Sequence, residues 1–209
     1  MLKKYIRESK PVRFEGNNYG PDWLKEAAKR GLPNHRTTPD ALKAFVQKKF
    51  VDIFERTGVL SAREVHAHYE IGLENYTKKV QIESRVLGDL VSNHVIPVAI
   101  KYQNTLVDNV KGLKIVLDLK TYGKISQNQM DQITEISEHI DKIMTYVNDM
   151  TEARKVANRI QDPVEKAASY CNHVFPYFEK IRYHSDKLEL MVDDEVWPLP
   201  KYRELLFIH

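Results

Sequence analysis

The sequence predicts an all-α protein: a bundle of three long antiparallel helices, the first kinked near Pro97, with short flanking helices. Three observations predict it. Between Ser61 and about Leu113, Val65, Tyr69, Leu73, Tyr76, Val80, Leu87, Val91, His94, Val98, Tyr102, Leu106 and Val110 recur in steps of three, four or seven. Such steps leave one stripe along a helix. From Ile133 to Ala157 a heptad seam runs through Ile136, Ile140, Ile143, Val147 and Met150, the strongest periodic signal in the chain. A third apolar face, from Val164 to Leu188, follows the tight turn IQDPVE, and neighbouring helices joined so closely run antiparallel.

In chain order, residues 1–10 suit a short helix with Leu2, Tyr5 and Ile6 on one side, ended by Pro11. The loop RFEGNNYG follows, rich in turn formers. Pro21 opens a helix capped by Gly20 and closed by Gly31, offering Trp23, Leu24 and Ala27 to a core. After GLPNHRTT, Thr38 is expected to cap one amphipathic helix through Ala41, Leu42, Phe45, Val46, Phe50, Ile53 and Phe54, closed by Gly58. Ser61 and Glu64 have capping-box spacing at the start of the first long helix. Unbroken, that helix runs roughly 75–80 Å at about 1.5 Å per residue. Pro97 removes a helix hydrogen bond and crowds the preceding turn, so a kink or short break is expected near Asn93–Pro97.

The stretch 112–125 is ambiguous between strand and helix, with a lean towards a short helical or irregular connection. Ser126 and Gln129 form a second capping-box pair opening the heptad helix. Asp162 caps the third long helix, Pro163 takes its first position, Glu165 is the reciprocal partner, and Pro176 is expected to bend it. Pro200 starts a short terminal helix. This divides the chain into a connector with two short helices (1–60), the long-helix bundle (61–195) and a terminal helix (196–209). No internal repeat and no low-complexity tract is expected.

The bulk numbers bound the function. The 209 residues carry 32 basic and 29 acidic side chains, a net charge of +3, which argues against a dedicated nucleic-acid surface. Cys171 stands alone, so no intrachain disulfide is possible and the cytosol is the default compartment. No apolar run approaches the ~18 residues of a membrane span. MLKKYIRESK lacks the apolar core of a signal peptide, and a helix running straight into Pro11 suggests a cut inside a longer protein.

Candidate chemistry is sparse. His66 and Glu70 lie one helical turn apart with Glu64 and His68 nearby, a spacing that can hold a metal but more often makes a solvated face. His94 reads as a half-buried ring bonded to a carbonyl beside Pro97. Nothing makes His139, His173 and His184 converge. Cys171 reads as a buried, inert thiol. Arg154, inside the heptad seam, either snorkels to the edge or pairs with an acid. Lys25, Lys29, Arg30, His35 and Arg36 gather near Trp23, a solvated face sooner than a nucleic-acid patch, as are Lys48–Lys49 and Lys78–Lys79. RFEGNNYG lacks the spacing of a phosphate loop. No catalytic, cofactor-binding or metal residue is therefore assigned.

Three stretches carry a resemblance: RFEGNNYGPDWLKEAAKRGLPN, YTKKVQIESRVLGDLVSNHVIPVAIKYQNTL and VFPYFEKIRYHSDKLELMVDDEVWPLPKYRELLF. Together, from about Tyr5 to Phe207, the chain resembles the C-terminal region of type III glutamine synthetases. The resemblance implies a parent enzyme that ligates ammonia to glutamate with ATP and Mg2+ or Mn2+, assembled as two stacked six-membered rings. It implies that the ligands for ATP, metal and glutamate lie before Met1, that this region holds no cofactor, and that its partners are the catalytic domain and neighbouring subunits. The surplus apolar residues Ile71, Ile82 and Ile100 are expected to need a second surface. The alternative is a free-standing helical module binding protein or nucleic acid; an enzyme in its own right would need His94, His66 or His173 to converge with acids.

Overall fold

The computed structural model describes residues 2–206, apart from the side chains of Val12, Tyr202 and Arg203. Every regular element among the described residues is helical. Four short helices come first: α1 (Leu2–Glu8), α2 (Pro21–Lys29), α3 (Thr38–Leu42) and α4 (Lys48–Thr57), with a 3₁₀ turn at Lys10–Val12. The first long rod is α5 (Ala62–Leu90), a π turn (Val91–Val95) and α6 (Ile96–Val116). Next come α7 (Leu119–Ile125) and α8 (Gln127–Arg159). The last rod is α9 (Pro163–Ser169), a second π turn (Tyr170–Val174) and α10 (Pro176–Met191), before a short α11 (Tyr202–Leu205). The expected terminal piece 196–209 is described only as far as 206.

Local chemistry explains most of the boundaries. Gly20 caps α2, with Pro21 at its first position, and Gly31 follows with φ +70. Ser61 and Glu64 form the reciprocal capping box of α5. Asp162 accepts from the Glu165 N–H at 2.8 Å. Gly58 ends α4 in the left-handed region, φ 68, where an L side chain is strained.

Several expectations need correction. The helix expected from Thr38 through Phe54 is two: Thr37, not Thr38, is the cap, and Gln47 turns extended (ψ 135) to start α4. The break lets Leu42 settle against α5 while Val51 is buried farther along. That approach is close, since a Cβ on Gly72 would lie 3.2 Å from both Leu42 δ carbons. The Ser126 capping box is absent: Ser126 is buried in αR conformation, its hydroxyl donates to Tyr122 O, and Gln129 accepts from Asn109 instead. The terminal helix begins at Tyr202, two residues past Pro200.

Neither long rod breaks at its proline. In each, a π turn precedes it: the Ile96 N–H reaches back five residues to Val91 O, and the Phe175 N–H to Tyr170 O. A proline supplies no N–H, and its ring crowds the carbonyl four residues before it; widening the turn accommodates both. The two turns also share a sequence. Asn93-His94-Val95-Ile96-Pro97 and Asn172-His173-Val174-Phe175-Pro176 differ only at the fourth place, so the chain does carry a short internal repeat. In both copies the valine is buried and the histidine exposed.

The core lies between the rods. Residue numbers rise along α5–α6 as they fall along α8: Gln81 donates to Asn158 (3.1 Å), Gln103 to Ile133 O (2.8 Å) and Asn109 to Gln129 (2.6 Å). The last rod returns along α8, with Tyr170 against Asn158 and His184 against His139. Val80, Val91, Val95 and Ala99 meet Ile136, Ile143, Met150, Tyr170, Val174, Ile181 and Leu188 in one continuous cluster. Beyond it, the Lys201 ammonium donates to Glu189 O (2.7 Å) and Val192 O (3.3 Å) and pairs with Asp194, capping the C-terminal end of α10.

Ile143 is fully buried in that cluster, whereas Leu190 is 81% exposed. Ile143→Ala is expected to lower unfolding stability by about 2–5 kcal/mol, and Leu190→Ala to change it by less than about 0.5, measured by urea titration.

Candidate functional site

The residues singled out in the sequence scatter. The His66 ring sits against its own helix, Nδ1 2.8 Å from Ala62 O, while Glu64 accepts from the Ser61 N–H and hydroxyl. Among the described residues no three His, Cys, Asp or Glu side chains gather as a metal would require. His94 is exposed rather than half-buried, because the π turn rotates Val91 and Val95 into the core and His94 out of it. His173 is likewise exposed. Cys171 is only half-buried; burial first, and then contact with this thiol, push the Tyr76 phenol's pKa upward.

Arg154 has no carboxylate within 4 Å among the described residues; half-buried, it points Nη1 at the buried Ser84 hydroxyl 3.5 Å away, a long contact. The basic cluster at Trp23 is partly structural. Arg30 pairs with Glu26 (2.7 Å), donates to Pro11 O and Arg13 O at 3.1 Å each, and lies 6.0 Å over the Trp23 ring. Lys48 and Lys78 pair with Asp52 and Glu74 one helical turn away.

Two polar constellations go beyond what the sequence pattern brings together. The first lines an open groove of about 560 Å³ between α5, the end of α8 and α9. At its floor Asn158 Oδ1 accepts from both Tyr170 OH (2.6 Å) and Gln81 Nε2 (3.1 Å). One amide thus ties three elements together. Burial raises the Tyr170 pKa, against the pull of Arg154 and Arg85, so its hydroxyl stays a donor.

The second joins α8 to α10. His139 and His184, which sequence reasoning leaves apart, approach with Nδ1 atoms 2.8 Å apart. At that distance one ring keeps its Nδ1 proton and donates it to the other. His139 Nε2 is buried without a hydrogen-bond partner, and Glu135 Oε1 at 3.7 Å is too far to serve as one. Which ring donates follows from the tautomer each adopts. Burial first, then His139 and Lys142, hold the His184 pKa below the usual histidine value. The spacing hints at this: His184 falls three residues after Ile181 and four before Leu188, both buried.

These features define a class: an all-helical domain whose polar side chains, half-buried or at the rim of the core, tie its helices to one another. Residues 1–114 match the family model described as glutamine synthetase C-terminal domain, and the chain belongs to that family. Over 209 residues it is 48% identical to a glutamine synthetase of Bacteroides fragilis, covering 99% of this chain and 28% of that protein. It is 31% identical to the type-3 glutamine synthetase of Dictyostelium discoideum, across 100% of this chain and 28% of that one. A glutamine synthetase of Butyrivibrio fibrisolvens is 28% identical, across 99% and 29%. The chain spans under a third of the length of these relatives. The resemblance drawn from the three stretches therefore holds: this is the C-terminal region of a type III glutamine synthetase. Among the described residues no helix is long and apolar enough to cross a membrane.

The depressed His184 pKa sets a direction for pH. The unfolded chain takes up a proton near pH 6.5 and the folded ring only at lower pH, so this stabilisation is full above about 6.5 and is lost as pH falls through the depressed value. The melting temperature, followed by circular dichroism, is expected to drop between pH 7.5 and 5, and His184→Gln to flatten that drop. Equal slopes would mean that the pair does not couple to folding.

Proposed function

We propose that this chain is a non-catalytic scaffold in a type III glutamine synthetase, the cytoplasmic parent enzyme ligating ammonia to glutamate with ATP and Mg2+ or Mn2+ bound elsewhere. The three rods act as one bundle that packs on the catalytic domain of the same polypeptide and helps set contacts between subunits in the ring assembly. The observation that carries this reading is apolar surface left over once the seams are filled. Ile71, Ile82, Val86 and Ile100 are 43–62% exposed along the first rod, opposite the buried stripe. Side chains of that size on a soluble rod favour a second surface that covers them. The polar constellations support the same reading, since the Asn158 amide and the His139–His184 pair are engaged between helices.

The test is removal of the domain. A full-length polypeptide lacking these residues is expected to sediment as smaller species than the intact enzyme, and the isolated chain to show no glutamine synthetase activity. An intact assembly after deletion, together with a strictly monomeric isolated chain, would end the proposal.

A further inference from the structure

One surface is more exposed than the stripe described above. Where α6 turns through α7 into α8, Ile115, Val116 and Leu119 are 85%, 78% and 81% exposed, three large aliphatic side chains within five residues. None of the residues of α7 is buried. The last rod ends at Met191, and its His184 already faces His139, so the hairpin runs on past it as two helices alone. Lysines ring the tip. Lys111 is paired with Asp108, but Lys114, Lys120 and Lys124 have no carboxylate within 4 Å among the described residues. Asp118 is occupied, accepting from the Lys120 and Thr121 N–H groups as the cap of α7.

We propose that this tip is a docking knob: Ile115, Val116 and Leu119 enter an apolar, carboxylate-rimmed cleft on a neighbouring copy of the longer glutamine synthetase polypeptide. The inference rests on the scaffold reading and narrows it to one surface. Charge argues for the rim, because unpaired lysines around an apolar centre are complemented by acids around an apolar cleft. Charge also excludes the cleft within this chain. The apolar groove lined by Leu42, Phe45, Phe54, Leu60, Val65, His68 and Tyr69 has no carboxylate among those residues. It offers a lysine-bearing knob no acidic rim.

Reach argues for a neighbour rather than the same copy. The short helices pack on α5 near Gly72, and Val116 lies roughly 65 Å farther along the rod at about 1.5 Å per residue. The relatives are more than three times as long as this chain. Their remaining residues would form a body on the order of 60 Å across. Joined at the N-terminal end of a C-terminal domain, such a body leaves the tip at or beyond its own edge.

The experiment uses the full-length polypeptide carrying these residues, with two variants: Ile115→Asp/Val116→Asp/Leu119→Asp, and Lys114→Glu/Lys120→Glu/Lys124→Glu. All six side chains are exposed, so helical content and melting temperature are expected to stay near those of the parent. Sedimentation velocity is expected to show both variants dissociating at concentrations at least tenfold higher than the parent. Added salt should weaken the parent's association and leave the aspartate variant unaffected. Parent-like assembly in both variants overturns the knob. If deleting the whole domain still dissociates that enzyme, the scaffold reading survives without it; if deletion also does nothing, both fall. Tip-dependent dimerisation of the isolated chain, or tip-dependent sedimentation with phosphatidylserine vesicles, overturns the proposal in favour of a second copy of this domain or of a membrane surface.

Discussion

A long helix that carries a proline has to lose a hydrogen bond, and the way this chain absorbs that loss shapes everything packed on it. The rod from Ala62 to Val116 stays continuous because the Ile96 N–H bonds to Val91 O, five residues back, opening one π turn ahead of Pro97. The turn also corrects the facing of the core. Leu87, Val91, Val95 and Ala99 follow one another in three steps of four, and in a uniform α-helix each such step drifts about 40°. Spread over about 4.4 residues per turn, the wider segment holds Val91 and Val95 on the same side as Ala99, where all three are buried. The last rod repeats the device with Tyr170 and Val174, also buried.

Much of this is legible in the sequence itself. The capping residues Gly20, Ser61 and Asp162 act through their own side chains or backbone, so three or four residues of sequence contain the whole interaction. The heptad seam is readable for a similar reason, because burial on one face of a helix leaves its period in the sequence. Ile136, Ile140, Ile143, Met150 and Ala157 are all buried. What is not legible depends on a partner from elsewhere. Ser126 has capping spacing with Gln129, but Gln129 is taken by Asn109 from the neighbouring helix. The split at Gln47 answers to Leu42 meeting Gly72, a contact no local pattern contains.

The polar ties are hidden for the same reason. His139 and His184 are 45 residues apart, and only the antiparallel register of α8 and α10 brings them to one hydrogen bond. The proline rule, taken alone, leads to a kink or short break and to a half-buried His94, but not to the π turn. The repeated Asn-His-Val-x-Pro string is the available signal that both prolines sit in the same setting. These polar contacts fix register: a one-turn slip of α8 would unmake the Gln81–Asn158–Tyr170 and His139–His184 ties together.

The continuity of the first rod is what the rest depends on, and it can be measured as a distance. With Cys171 replaced by Ser, spin labels at Arg63→Cys and Lys101→Cys flank the π turn on exposed positions. Pulsed electron spin resonance should return a single narrow distribution centred at roughly 55 Å, as about 1.5 Å per residue requires. A broad distribution, or one centred well below that, would show a hinge at Pro97 and contradict the account.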